Sequence, residues 1–592
     1  MMATHWRWAS SMVFFAVAVA ACDGRPRRPE SQWSGSAHNA EIAVFDLSDG
    51  VPERPASSLM GLSDGHGSFD EFVDSAGRLL NDHKRVGGVL VRFGSAHLGL
   101  AQATEIGVLL ARMGERIPVW CHADDLTNAT LYLESTGCRR MWMAPSGTVD
   151  AVGLGAELIY FHKFLSERLG LDVDFLQVGK YKGAEEPFTR DGPSPEARAS
   201  IESMLRAQRS AWSAGILRGH PQTAEGAIED GPYAAPRARE LGLVDTLGYF
   251  DEARSAMERE VGADGEAIRF GPGQPLDSVA DVLRGASGWL GDAPVAVVRA
   301  VGAISVETEG MFGTGGIVER RLNRTFARLA KDDRVKAVVV RIDSPGGSAL
   351  ASDLLWHSMM TLRAKKPVVV SIGDMAASGG YYMASAASRI FAEETSIIGS
   401  IGVVGGKIAV GRALEGFGVH GETLSGKGVD AHASTRAAFE SPMVAWDEPT
   451  RQRVLSTMIE IYRLFLSRVS EGRGMSVERV AQSAEGRLFA GRESLERGLV
   501  DELGGLTEAI AHARSLAGLP PDSAVETEGT SGGWLETLVD RGQDTPNRAA
   551  MGLAMEGLAL SRSELVPFLA SVTPIGRNES TVCALPFALT LQ

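Results

Sequence analysis

Residues 373–382 read GDMAASGGYY, and they follow an apolar run over residues 367–372. A strand that ends in a glycine-flanked turn and restarts as a helix exposes a serine hydroxyl, with backbone N–H groups aimed at the space in front of it. The same letters also fit a helix start of small residues packed against a neighbour, because such strings are common. Ser378 is therefore a candidate nucleophile, and the neighbouring segments of the sequence decide between the two interpretations.

The segment before this turn predicts a neighbouring strand. Residues 336–342, KAVVVRI, are typical of a buried parallel strand, and a helical pattern follows over residues 348–363. The apolar residues expected on one face of this helix are Leu350, Leu354, Leu355 and Met359. Parallel strands joined by helices predict an α/β fold.

A glycine loop, DSPGG at residues 343–347, joins this strand to its helix. Gly346 and Gly347 leave backbone N–H groups free to approach a ligand. Because the carboxyl ends of adjacent parallel strands meet at one edge of a sheet, we expect this loop beside Ser378. A nucleophile next to N–H donors is the arrangement of an acyl-transfer site with its oxyanion hole.

The chain contains an internal repeat. GLVDTLG at residues 242–248 recurs 256 residues later as GLVDELG at 498–504. RVGGVLVR at 85–92 recurs 249 residues later as RVKAVVVR at 334–341. The similar offsets indicate two copies of one α/β unit.

The two copies differ at the chemically important positions. A shift of about 250 residues places Ser378 near Asn128, and it places the glycine loop opposite FGSAH at residues 93–97. The first copy therefore lacks both the serine and the glycine pair. We expect that it cleaves nothing by itself.

Three motifs carry a family resemblance: DSPGGS at 343–348, GDMAASGGYYMA at 373–384 and IGSIG at 398–402. Together they resemble the signal peptide peptidase A family (protease IV), in its long duplicated form, over roughly residues 40–516. The resemblance implies two tandem domains similar in fold to Clp protease and crotonase. It also implies a serine endopeptidase without a cofactor, with Gly379 beside Gly347 in the oxyanion hole, and a ring of subunits, expected as a homotetramer.

The resemblance also assigns the general base. Residues 177–188 read QVGKYKGAEEPF, which is similar to the stretch that carries the base in the long form, and the matching position is Lys182. Lys180 is the nearest alternative. Lys427 is the alternative of the short form, in which base and serine share a domain. The Glu-Pro-Phe context follows Lys182 alone and favours it.

A lysine can act as a base only when it is uncharged. Burial against an apolar wall favours the uncharged form, and a site sealed between two domains would supply such a wall. By resemblance, Ser400 is the hydroxyl that orients the Lys182 amine. A tight turn is the structural alternative for Ser400.

The composition excludes some classes of partner and site. A chain of 592 residues is too long for a single hydrophobic core. Its 44% of hydrophobic and 22% of charged residues are typical of globular proteins. The net charge of −15 argues against nucleic acid as a partner. No Cys/His spacing suggests zinc, so we expect no metal.

The first residues are typical of an export signal. Arg7 precedes an apolar run over residues 12–21, and VAAC at 19–22 fits a lipobox whose cysteine is lipidated. About ten apolar residues are too few to span a bilayer. We therefore expect an exported lipoprotein tethered through Cys22. Asp23 resembles an inner-membrane retention signal, which places the expected site at the periplasmic face of the inner membrane.

The expected organisation has five parts. They are a lipoprotein signal peptide (1–22), a linker (23–40), a first domain supplying the lysine (41–262), a second domain with the nucleophile (290–517) and a poorly matched tail (518–592). Cys121 and Cys138 lie in one domain of an exported protein, where they either pair or remain buried thiols.

The expected function is a membrane-tethered serine endopeptidase with a Ser/Lys dyad that degrades remnant signal peptides and other unfolded apolar peptides. A Ser-His-Asp hydrolase is one alternative, since AASGG is one residue off G-x-S-x-G, but no histidine has a recognisable base context. A crotonase-type acyl-CoA enzyme would leave Ser378 without a role. An inactive peptide-binding scaffold is disfavoured by the intact serine and lysine.

Overall fold

A computed structural model describes residues 40–53, 67–81, 86–270, 293–306, 316–424, 432–528 and 581–583. The lipobox with Cys22 and the alternative base Lys427 lie outside these residues.

Strands form where apolar and β-branched residues run without interruption, as burial on both faces of a parallel sheet requires. In the first repeat the strands are β1 (Ala40–Asp46), β2 (Val86–Gly94), β3 (Val119–Ala123), β4 (Arg140–Met143), β5 (Thr148–Val149), β6 (Asp172–Val178), β7 (Tyr233–Ala234), β8 (Thr246–Leu247) and β9 (Ala263–Phe270). The later strands are β10 (Val295–Val301), β11 (Ile304–Ser305), β12 (Ile317–Val318), β13 (Ala337–Ser344), β14 (Gly347–Ser348), β15 (Val368–Ala377), β16 (Arg389–Ala392), β17 (Ile397–Gly399), β18 (Val403–Ala409), β19 (Leu488–Ala490), β20 (Glu502–Leu503), β21 (Val525–Glu528) and β22 (Thr581–Cys583).

Helices connect these strands. In the first repeat they are α1 (Phe69–Asn81), α2 (Leu100–Gly114), α3 (Asn128–Gly137), α4 (Glu186–Thr189), α5 (Pro195–Gly219), α6 (Ala235–Glu240) and α7 (Phe250–Val261), with a π-helical turn at Phe164–Arg168 and a 3₁₀ turn at Glu225–Ile228. In the second they are α8 (Glu319–Leu329), α9 (Ala349–Arg363), α10 (Gly379–Ala384), α11 (Gly411–Glu415), α12 (Ala433–Ala437), α13 (Glu448–Arg473), α14 (Val477–Gln482), α15 (Gly491–Arg497) and α16 (Leu506–Leu516). Within the described ranges, no helix combines the length and the apolar content needed to cross a bilayer.

Two parallel sheets carry the internal repeat. The first has the strand order β8-β4-β3-β2-β1-β9, and the second contains the matching order β20-β16-β15-β13-β10-β21. The predicted α/β duplication is therefore confirmed. Both sheets continue past the boundaries expected at residues 262 and 517, because β9 and β21 each pair in parallel with the first strand of their repeat.

The two repeats share an apolar core. Successive side chains of a strand point to opposite faces of its sheet. On β13, Val339 packs in a core that also contains residues of the first repeat. Its neighbours Val338 and Val340 pack in a second core on the opposite face of the sheet.

A third sheet interleaves the repeats. Strand β6 of the first repeat pairs antiparallel with β18 of the second over seven residue pairs, from Val178 opposite Val403 to Asp172 opposite Ala409. Lys182 follows four residues after Val178. This pairing therefore places Lys182, the predicted base, next to the second repeat.

Polar contacts also join the repeats at β15, the strand that precedes Ser378. The Asp374 carboxylate accepts a hydrogen bond from the Ala101 backbone N–H at 2.9 Å, in the first turn of α2. A carboxylate is stabilised there by the helix dipole. Gly99, the residue before α2, permits this approach, since a Cβ at Gly99 would collide with the Asp374 carboxylate.

A buried arginine lies beneath this contact. Arg341 on β13 is fully buried, and its guanidinium lies 2.7 Å from the carboxylates of Glu53 and Glu105 in the first repeat and 2.9 Å from Ser371 Oγ. Burial raises the pKa of Glu105 to about 7. Removing one member would leave an uncompensated buried charge, so such a substitution should destabilise the contact between the repeats.

The buried face of helix α9 differs from the face that the sequence predicts. Leu355 and Met359 are buried, but Leu350 is 60% exposed and Leu354 is 37% exposed. The buried face also contains small residues, because α9 lies close to the turn at Ser378. A Cβ built on Gly379 would lie 2.5 Å from Ser352 Oγ.

Cys121 and Cys138 form a disulfide, which the sequence left open. Cys121 lies in β3 and Cys138 caps the C-terminus of α3, with a Cα–Cα distance of 5.9 Å. The bond joins this strand to the helix that follows it.

Candidate active site

Ser378 lies between β15 and α10. The strand continues to Ala377, beyond the end expected at Ile372, and an irregularity in its pairing with β13 accompanies this extension. Ser378 caps α10 with φ 53° and ψ −112°, a positive φ that is rare outside glycine, and it is fully buried. Its backbone N–H donates to the Gly399 carbonyl at 2.8 Å. Strained backbone at such a turn is typical of a functional position.

The structure brings Ser378, Lys182 and Ser400 together. Lys182 Nζ lies 2.7 Å from Ser378 Oγ, 2.9 Å from Ser400 Oγ and 3.0 Å from the Ser400 carbonyl oxygen. All three residues are fully buried. Lys180, the nearest alternative base, instead directs its amine toward the Glu485 carboxylate at 3.7 Å.

A loop of the second repeat, residues 485–487, holds the lysine segment in place. The Tyr181 N–H donates to the Glu485 carbonyl at 2.8 Å, and the Arg487 guanidinium lies 4.1 Å from the centre of the Tyr181 ring. The Ser400 N–H donates to the Arg487 carbonyl at 2.6 Å. At Gly486 a Cβ would lie only 2.5 Å from Lys182 Cα. The loop therefore positions Lys182 and Ser400 together.

A second contact fixes the backbone of Lys182 from within the first repeat. With its nitrogen turned toward Glu185, the Gln177 side-chain amide donates to the Glu185 carboxyl at 2.6 Å and to the Lys182 carbonyl at 2.5 Å. Glu185 is buried, and burial raises its pKa to about 8.

Glu185 should make stability depend on pH. Its pKa of about 8 in the folded protein lies above the ordinary 4.5, so its contribution to stability is full below pH 4.5 and is lost as pH rises through 8. Glu185→Gln stays neutral, so we expect it to have a higher Tm than the wild type at pH 9 and a similar Tm at pH 5. Thermal unfolding across this range tests the prediction. Glu196→Gln, at an exposed position, is the control; identical pH dependence of the wild type and Glu185→Gln would contradict it.

The glycine loop meets the turn of Ser378. Gly346 and Gly347 have φ of 99° and 150°, in the region that favours glycine. The Gly346 N–H donates to Ser344 Oγ at 3.2 Å, so Gly346 shapes the loop rather than offering a free donor. A Cβ built on Gly379 would lie 3.3 Å from the Gly347 nitrogen, which places the two candidate oxyanion donors side by side.

The first repeat has a different residue at the position that corresponds to Ser378. Its helix α3 is capped by Thr127, one residue before the Asn128 expected from the offset. Thr127 has φ −79° and its hydroxyl accepts from the Thr130 N–H at 3.2 Å. The hydroxyl thus caps a helix, as expected for a repeat without catalysis of its own.

Comparison with known proteins identifies the family. The family model for Peptidase family S49 matches residues 111–264 and 360–520, which together exceed half of the 592 residues. The chain belongs to Peptidase family S49. The two matched segments begin 249 residues apart and end 256 residues apart, the same offsets as the internal repeat.

The individual relatives that the chain resembles are named as proteases. The chain is 31% identical over 402 residues to a chloroplastic serine protease SPPA of Arabidopsis thaliana, covering 67% of this chain and 58% of that protein. It is 30% identical over 415 residues to Protease 4 of Salmonella typhi, covering 68% of this chain and 64% of that protein. A putative protease of Synechocystis is 35% identical over 37% of this chain and 75% of its own length. The chain thus spans about three fifths of the first two relatives.

Among solved structures, a ClpP1 mutant from Listeria monocytogenes aligns with 36% of this chain and 94% of its own, at 14% identity and a TM-score of 0.24.

Proposed function

We propose that this S49 protein is a serine endopeptidase in which Ser378 is the nucleophile and Lys182 is the general base. One observation carries the proposal: Lys182 Nζ of the first repeat lies 2.7 Å from Ser378 Oγ of the second, in a fully buried site. A buried amine next to a serine hydroxyl is the pairing that an activated nucleophile needs. The chloroplastic serine protease SPPA of Arabidopsis thaliana, one of its relatives, supports the same reaction class.

The contacts of Lys182 suit an uncharged amine, which has two N–H bonds and one lone pair. The Ser400 carbonyl and hydroxyl oxygens can accept both hydrogens, and the lone pair then faces the Ser378 hydroxyl. Full burial favours this uncharged form. Lys182 takes the proton of Ser378 as Oγ attacks the carbonyl carbon of a peptide bond.

The glycine loop completes the reaction. As the tetrahedral intermediate forms, the N–H groups of Gly347 and Gly379 donate to its oxyanion. The C–N bond then breaks, and the amine leaves with the proton held by Lys182. The same lysine activates the water that hydrolyses the acyl ester on Ser378. No cofactor is needed for any step.

We propose unfolded apolar segments as the substrate class, including signal peptides left after cleavage. A putative signal peptide peptidase SppA of Enterococcus faecium among the relatives supports this substrate class.

We also propose export and a lipid anchor at Cys22, on the periplasmic face of the inner membrane, with a homotetramer as the assembly. The lipobox is the sequence support. The disulfide between Cys121 and Cys138 is an independent support, since such bonds persist in oxidising compartments.

A fluorophosphonate probe tests the proposed function. It should react covalently with the native protein, and mass spectrometry of the digest should place the adduct on Ser378, because only an activated serine reacts quickly. The native protein should also cleave a fluorogenic apolar peptide. Absence of both labelling and cleavage would overturn the proposal, and labelling elsewhere would overturn the assignment of Ser378.

A further inference from the structure

Two carboxyl groups lie side by side where the glycine loop leaves the second parallel sheet. Asp343 is near the end of β13 and is the first residue of the loop, four residues before Gly347. Asp374 lies on the neighbouring strand β15, four residues before Ser378. The pair therefore stands at the base of the two segments that carry the proposed oxyanion donors.

The pairing of β13 with β15 is irregular at this point. Strand β13 advances two residues, from 342 to 344, while β15 advances four, from 372 to 376. The Asp343 carboxyl bridges the two strands within the irregularity, because its Oδ1 accepts from the Met375 backbone N–H at 3.2 Å. The position of the glycine loop relative to the turn at Ser378 thus depends on this side chain.

The surroundings favour one proton on the pair. Burial and the neighbouring Asp374 charge hold the pKa of the Asp343 carboxyl well above its ordinary value. Burial also raises the pKa of Asp374, but the backbone N–H groups of Ala101 and Gln102, at the start of α2, lower it. The proton therefore belongs on Asp343, and Asp374 is the carboxylate that faces the helix.

The other charged groups around the pair are already engaged with one another. They are Arg341 on β13, Glu53 and Glu105 of the first repeat, and Arg299 on β10 with its partner Asp70. The Arg341 charge lowers the pKa of Asp343 and the Glu53 charge raises it. Because Arg341 is shared between two carboxylates, a charge on Asp343 would be largely uncompensated.

We propose that Asp343, in its uncharged form, is a positioning residue that holds the oxyanion loop against the turn at Ser378. The inference rests on the proposed function, in which Gly347 and Gly379 donate to the oxyanion. While Asp343 keeps its proton, the strands that carry the two glycines stay together. Once the proton is lost to water, two carboxylates repel each other at the base of the loop, and the donors move apart.

Wild-type kcat should therefore fall at alkaline pH. A raised pKa keeps Asp343 uncharged through neutral pH, and the uncharged form is lost as pH rises through that pKa. A misplacement of about 1 Å can cost about 10²-fold in rate, so we expect kcat to decrease by about tenfold to 10²-fold. KM should change little, because the donors act on the oxyanion and not on the bound substrate.

Profiles of kcat and KM from about pH 6 to about pH 10 test this. Asp343→Asn stays uncharged and keeps an oxygen for the Met375 N–H, so its kcat should equal that of the wild type at neutral pH and stay level at alkaline pH. Asp343→Ala loses the acceptor and should have a lower kcat at every pH. Asp333→Asn, at an exposed position, is the control and should follow the wild type. The same alkaline profile in the wild type and Asp343→Asn would overturn the role of Asp343.

Hydrogen exchange gives a second measurement that does not need activity. In chains that also carry Ser378→Ala, the amides of residues 344–348 and 375–380 should exchange faster at about pH 9 with Asp343 than with Asn at this position, and equally fast at about pH 6. This difference without any peptide cleavage by the native protein would support the positioning role and overturn the peptidase proposal. Equal exchange of the two chains at both pH values would overturn the positioning role.

Discussion

Ser378→Ala should abolish peptide cleavage, lowering kcat for a fluorogenic apolar peptide by about 10⁴-fold or more. The change removes one oxygen atom from a fully buried side chain and leaves Lys182 its contacts with Ser400. The fold should therefore persist, with a Tm within a few degrees of the wild type. Steady-state kinetics and thermal unfolding on the same preparation separate loss of chemistry from loss of structure.

Ser385→Ala is the matched control, since Ser385 is also fully buried, follows α10 directly and donates its hydroxyl to the Tyr382 carbonyl. It should retain most activity. Turnover by Ser378→Ala near the wild-type rate would refute Ser378 as the nucleophile, however well the variant folds.

Lys182→Met should reduce kcat by about 10²- to 10⁴-fold, the range in which general-base catalysis contributes. Methionine keeps an unbranched apolar stem in a fully buried position but cannot accept the proton of Ser378. Lys182→Arg should be equally inactive, because arginine remains charged. Fluorophosphonate labelling of Ser378 should slow in parallel with kcat, since both reactions need the activated hydroxyl.

Lys180→Met provides the comparison two residues away. The Lys180 side chain is largely exposed and its amine lies near Glu485, so this variant should retain most activity. If Lys427→Met were inactive and Lys182→Met active, the base would belong to the second repeat and the mechanism across repeats would be wrong.

The sequence predicted the parts of the site that lie in motifs. Ser378, Lys182 and Ser400 each lie in a short motif, and the structure places them within hydrogen-bonding distance although Lys182 and Ser378 are 196 residues apart. The sequence also predicts the duplication, because one heptapeptide and one strand segment each recur at similar offsets. What the repeat could not show was how the copies interlock, since no local pattern says which strand of one copy pairs with the other.

Other features were missed for physical reasons. The apolar period of α9 gave a helix, but it did not show that small residues would have to face the turn of Ser378, which left Leu350 and Leu354 outside the buried face. The pairing of Cys121 with Cys138 depends on tertiary distance and not on spacing. The sequence does carry a signal for the ion cluster between the repeats, because Arg341 is a charged residue that directly follows a run of buried valines.

The pairing of β6 with β18 also governs when a chain in synthesis can first become a protease. Domains tend to fold in the order in which they are made, so the first repeat emerges with Lys182 but without a serine to activate. Ser378 arrives later, and it meets the lysine only after β18 has been made and has paired with β6. In the proposed mechanism a half-made chain therefore cannot cut itself or the unfolded chains around it, and proteolysis starts only once both repeats have docked.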